Sequence, residues 1–170
     1  VHALQNKVAL NIAGGTHHAY TNRGEGFCLL NDIAIAAAEL LAKKKVNKIL
    51  IVDLDVHQGN GTAEIFQKEN RIFTFSMHGA KNYPLHKEKS DLDIALPDHC
   101  NDQSYLEKLY NTLPRLLDEV EPDFIFYLSV FYYSFYMFYH YPLSILHFPM
   151  ALIIRVYILK DIIFIIYVQL

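Results

Sequence analysis

Asp53-Leu54-Asp55-Val56-His57 closes an apolar run, KILIVDLD (residues 48–55), and sets two carboxylates and an imidazole at alternate positions. Alternation along an extended strand points Asp53, Asp55 and His57 the same way. Burying unpaired carboxylates is costly, a bound cation relieves that cost, and Asp with His is a donor pair suited to zinc. The same residues also fit a strand that leaves the core and turns polar, with Asp53 capping the next loop. A second cluster is Gly14-Gly15-Thr16-His17-His18-Ala19. Adjacent imidazoles after a Gly-Gly turn suit general acid–base work, because imidazole titrates near neutral pH. In isolation they fit two exposed loop histidines as well. Gly26-Phe27-Cys28, just before a helix, is the third cluster, where a Phe is as compatible with a core as with a substrate wall.

The elements that must hold these residues alternate. VALNI (8–12) reads as a short buried strand running into the Gly14–Gly15 loop. Residues 31–45 start with Asn31 and Asp32, are rich in alanine and end in lysines, which predicts a capped helix. The β-branched run 48–55 predicts a strand buried on both faces of a parallel sheet. VHQGNG follows as a glycine-bearing loop, with Thr62 expected to cap the helix AEIFQK. RIFTFSM (71–77) and DLDIALP (91–97) are extended, residues 104–121 helical around Pro114, and DFIFYLS (123–129) a further strand. This order predicts an α/β fold with an open, mostly parallel sheet, and such sheets bind ligands beyond the carboxyl ends of their strands. Each chemical cluster falls just after a strand.

In their order and spacing, GGTHHA, GEGFCLLNDIAIAA, VDLDVHQGNGT and FTFSMHG resemble the histone deacetylase family, including its acetylpolyamine and bacterial-type members. Gln58 and Asn60 are closer to the class IV and bacterial-type branch. The resemblance covers about residues 8–129 and implies a partial parallel-sheet domain of the arginase/deacetylase fold. It implies Zn2+ ligated by Asp55 and His57, with His17 and His18 flanking the zinc-bound water as base and acid or as electrostatic partners. Asp53 would orient His17, and Asn60 would contact His18. Asp53, Asp55, His57, Ser76 and Met77 match a structural K+ site, and Gly26 and Phe27 a narrow acyl-lysine channel. The implied substrate is an acetylated lysine of a protein or an acetylated small amine, hydrolysed at the amide.

Composition limits the partners and marks a break. A net charge of −3 gives no concentrated basic surface for nucleic acid. Cys28 and Cys100 form no CxxC or disulfide framework, so a reducing intracellular compartment, nuclear or cytoplasmic, is expected, with an organelle left open. The first residues lack the basic start and apolar stretch of a secretory leader, and the opening on Val1 leads us to expect a preceding segment. All seven glycines fall between Gly14 and Gly79, and of 33 charged residues only Arg155, Lys160 and Asp161 follow Asp123. From Phe124 to Phe148, 12 of 25 residues are Phe or Tyr, with no turn chemistry or period. Residues 1–129 are therefore read as the partial deacetylase domain and 130–170 as an aberrant apolar tail, helical or irregular, that forms no domain of its own.

The family's third zinc ligand, an Asp, follows a strand like FYLS, and a Gly-Gly-Tyr comes later. Here no acidic residue stands between Ser129 and Asp161, and no glycine beyond Gly79. The chain as given is accordingly expected to be inactive, with β-sheet cover missing beside FIFYLS. Two alternatives stay open: a non-catalytic truncated isoform serving as an interaction module, and a membrane-tethered domain. Residues 124–154 are uncharged and long enough to span a bilayer, though Pro142 and Pro149 interrupt them, so a membrane partner is not expected.

Overall fold

A computed structural model describes residues 2–12, 14–130 and 162–169. Ten elements follow in order: α1 (His2–Asn6), β1 (Val8–Asn11), α2 (Asp32–Ala42), β2 (Ile49–Asp53), α3 (Asn60–Phe66), β3 (Ile72–Gly79), β4 (Leu92–Leu96), α4 (Asp102–Val120), β5 (Phe124–Val130) and β6 (Ile163–Gln169). The strands form one open sheet in the order β1-β6-β5-β2-β3-β4, and every pairing is parallel. The chain is an α/β protein, as the alternation of elements predicts.

Burial on both faces explains the unbroken apolar runs. All five residues of β2 are buried, and their side chains divide by alternation. Leu50 and Val52 join Ile125, Tyr127 and the inner face of α4 (Leu109, Leu113, Leu116, Leu117, Val120) in one core. Ile49 and Ile51 join Phe124, Phe126, Leu128 and α2 (Ile33, Ala34, Ala37, Leu41) in the other. Each fully buried aliphatic or Phe side chain contributes about 1.5–3 kcal/mol. The start of the sheet is pinned by Asp123, whose carboxylate accepts from the backbone N–H groups of Asn47 and Lys48.

Four expectations are corrected. VALNI forms β1, but Val8, Leu10 and Asn11 are exposed and not buried. Residues 163–169 are neither helical nor irregular: they form β6, inserted between β1 and β5. The run IFIIYVQ is β-branched, aromatic and uncharged, which suits a strand covered on both faces. Its Ile166 and Tyr167 are 6% and 5% exposed. The sheet beside FIFYLS is thus paired on both sides, by β2 and β6. Thr62 also does not cap α3. The helix begins earlier, at Asn60, with Gly59 at its N-cap, and the Thr62 hydroxyl accepts from the Asn31 amide at 3.0 Å. Among the described residues no helix is long and apolar enough to cross a membrane. Of the segment weighed as an alternative anchor, residues 124–154, the first seven form β5, and residues 131–161 lie outside the described residues.

Candidate active site

The Gly14–Gly15 turn is held by the first residue of α2. Asp32 accepts from the backbone N–H groups of Gly15 and Thr16 and from the Thr16 hydroxyl at 2.8–3.2 Å. The same α2 start is capped by Asn31, whose side-chain oxygen accepts from Ala34 N–H while its amide donates to the Ala19 carbonyl. From the other side, Thr62 N–H of α3 donates to the His17 carbonyl. The loop thereby carries both histidines inward: His17 is 1% exposed and His18 6%.

His17 and His18 have opposite backing. Nδ1 of His17 lies 2.6 Å from the Asp53 carboxylate, and its Nε2 4.0 Å from that of Asp55. Burial opposes charge on His17, but the neighbouring carboxylates of Asp53, Asp55 and Asp32 outweigh it and raise its pKa. Nδ1 of His18 instead meets the amide oxygen of Asn60 at 2.6 Å. Burial, with the adjacent His17, lowers the His18 pKa to about 4 despite that hydrogen bond. The rings are 4.1 Å apart between centroids.

Asp55 and His57 stand beside this pair. Asp53 accepts from Asp55 N–H at 3.0 Å, and Asp55 from His57 N–H at 2.7 Å, so the chain after β2 curls around its own carboxylates. The Asp55 oxygen is 3.1 Å from His57 Nδ1, and the His57 ring centroid is 5.9 Å from that of His18. Burial and the Asp53 carboxylate raise the Asp55 pKa against the pull of His17 and His57. Gly59 allows this crowding, since a Cβ there would come within 2.3 Å of Asp53 Oδ2. A buried carboxylate and an imidazole nitrogen 3.1 Å apart are zinc-type donors. They are two where a catalytic zinc takes three, and among the described residues no three His, Cys, Asp or Glu side chains are grouped to hold a metal.

The other sequence candidates are distributed as follows. Ser76 is the register partner of Asp53 across the β2–β3 pair, and its hydroxyl pairs with His78 Nδ1 at 3.0 Å. Met77 points its side chain into the α4 core and lines a cavity of about 400 Å3 that shares no residue with the histidine cluster. Gly26 and Phe27 form the tip of a tight turn with φ of 54° and 64°, closed by reciprocal hydrogen bonds between Glu25 and Cys28. Gly26 lies against His18, where a Cβ would meet the ring at 2.5 Å. Phe27 projects fully into solvent.

Two participants escaped the sequence reading. The Tyr83 ring stands edge-on to His18 at 4.9 Å and 6.3 Å from His57, and its hydroxyl donates to Glu25 at 2.8 Å. Burial and the Glu25 carboxylate push its pKa up to about 12. Glu25 in turn accepts from the Asn60 amide at 2.9 Å. Nothing in the polar loop 78–90 ties Tyr83 to the histidines by spacing or period, and Glu25, although inside GEGFCLLNDIAIAA, has no spacing that links it to Asn60.

Comparison with known proteins places the chain in a family. The histone deacetylase domain model matches residues 1–143, running past Ser129. An uncharacterized protein of Picosynechococcus sp. is 52% identical over 125 residues, covering 74% of this chain and 42% of its own length. The acetoin utilization protein AcuC of Staphylococcus aureus (strain MRSA252) is 34% identical over 127 residues, covering 68% of this chain and 32% of its own length. The chain thus spans 42% and 32% of the length of these two relatives. With most of its length matched by the family model, the chain belongs to the histone deacetylase domain family.

Proposed function

We propose that this chain carries the greater part of the catalytic pocket of a zinc-dependent deacetylase, which in the full-length form hydrolyses the acetyl amide of a protein lysine or of an acetylated small amine. The observation that carries the reading is the paired histidines with opposite backing, His17 on a carboxylate and His18 on an amide, next to Asp55 and His57. Titrating neighbours whose pKa values are driven apart divide acid from base work. His18, kept neutral, can take a proton from water at Nε2. His17, with its pKa raised, favours the charged form and offsets negative charge developing beside it.

Asp55 and His57 would hold zinc, and a third ligand would come from outside the described residues. When bound, zinc polarises the amide carbonyl and lowers the pKa of its water. Asp53 and Ser76, with Met77, Asp55 and His57, are the residues we assign to a structural K+ site. Gly26, which leaves room for the His18 ring, and Phe27 at the turn tip would border the acyl channel. A reducing intracellular compartment, nuclear or cytoplasmic, suits the two free thiols of Cys28 and Cys100.

Release of acetate from an acetyl-lysine peptide and from an acetylated polyamine tests this reading on the full-length form. Chelator-sensitive turnover that His18→Ala removes is expected. Turnover that persists in His18→Ala would contradict it. For the chain alone we expect no turnover above a metal-free control, because its described donors number two.

A further inference from the structure

We infer that Glu25 is a positioning residue for His18, fixing through Asn60 which nitrogen of the imidazole carries the proton. It rests on the reading of His18 as the proton-handling residue, and extends it to a side chain to which the sequence reading gave no role.

An amide can be turned over without changing its shape, so the partners of Asn60 decide its orientation. Its nitrogen donates to the Glu25 carboxylate at 2.9 Å and to the Tyr20 hydroxyl at 3.0 Å. The Tyr20 hydroxyl donates to Glu88 at 3.2 Å and so accepts from Asn60, but a hydroxyl can rotate to donate to an amide oxygen instead and constrains the direction less than a carboxylate does. A carboxylate only accepts, so turning the amide over would set its oxygen against the oxygen of Glu25. Asn60 Oδ1 is therefore committed to face His18 at 2.6 Å. That oxygen cannot donate, so Nδ1 of His18 must carry the hydrogen and Nε2 keeps the lone pair. Asn60 is fully buried and His18 nearly so, which leaves water little chance to substitute for these bonds.

Glu25 is itself held in place for this task. Its backbone N–H and carbonyl are both bonded to Cys28 across the Gly26–Phe27 turn. Tyr83 donates to the same Oε1 that Asn60 uses, and Arg23 donates to Oε2 at 3.1 Å. The turn that places Gly26 against the His18 ring thus also delivers the carboxylate that orients the ring's partner.

The test is the tautomer of neutral His18, read by long-range 1H–15N correlation on the metal-free chain, in the parent protein and in Glu25→Gln. The parent is expected to show His18 predominantly as Nδ1–H. In Glu25→Gln the side chain keeps its shape but gains a donor, so Asn60 can turn over and the Nε2–H form should rise to a comparable population. If that variant does not fold, Glu25→Met, which offers no donor and only a weak sulfur acceptor, is read in the same way. A parent His18 that is mainly Nε2–H, or a folded variant with its tautomer ratio unchanged, overturns the inference. The readout needs no turnover, so it fails or succeeds separately from the deacetylase reading.

Discussion

Nδ1 of His18 lies 2.6 Å from the amide oxygen of Asn60, while its neighbour His17 makes the same contact at the same distance with the carboxylate of Asp53. The first difference to expect is in pH response on the metal-free chain. His18 should stay neutral down to about pH 4, and His17 should remain protonated above its ordinary pKa of 6.5. The unfolded chain takes up a proton at position 18 near pH 6.5, which the folded chain refuses until about 4. That lowers stability as pH falls through this window. His17 contributes with the opposite sign: its stabilisation is full below 6.5 and is lost as pH rises through its raised folded value. Denaturant unfolding of His18→Gln should show a shallower loss between pH 6.5 and 4 than the parent. An unchanged slope would assign the acid sensitivity elsewhere.

Asp32 was legible in the sequence only as an acidic residue in the first turn of a helix. Its larger task is to hold the turn that presents both histidines. Asp32→Ala removes the acceptor of two backbone N–H groups and of the Thr16 hydroxyl hydrogen and should cost roughly 2–3 kcal/mol. The loss should appear in denaturant unfolding and as faster amide exchange at Gly15 and Thr16.

Gly26→Ala meets two penalties at once, a positive φ of 54° and a Cβ 2.5 Å from the His18 ring. We expect about 1–3 kcal/mol of destabilisation and displaced His18 ring resonances. A variant with parental stability and shifts would mean that the turn relaxes freely.

The α/β class, the parallel order and the clusters after strands could all be read from runs, caps and spacing, because those patterns are local. Of KILIVDLD, Ile49–Asp53 became β2, but Asp55 and His57 lie past its end, so the curl of the following loop and not strand alternation brings them beside Asp53. Three features were not readable. Tyr83 reaches His18 through the path of a loop, Glu25 acts through a turn followed by an amide, and β6 pairs with strands more than 30 residues away in sequence. The apolar run 162–168 carries no period that separates a sheet strand from any other apolar stretch.

β6 is the one sheet partner of β1 among the described residues, so it ties the Gly14–His18 loop to the sheet. Ile166→Ala, at a 6% exposed position, should cost about 2–5 kcal/mol. Hydrogen exchange should show protection lost first at β1, with β2 and β3 retained. Uniform loss, or none, would separate β1 from β6.

The central claim is that Asp55 and His57 are metal donors while His18 acts on water. Zinc titrated onto the chain, followed calorimetrically in the parent, Asp55→Ala and His18→Ala, addresses it most directly. The account predicts one weak site in the parent, because two donors fall short of the usual three. That site should survive in His18→Ala and vanish in Asp55→Ala. Zinc binding that is indifferent to Asp55→Ala, or abolished by His18→Ala, would contradict it.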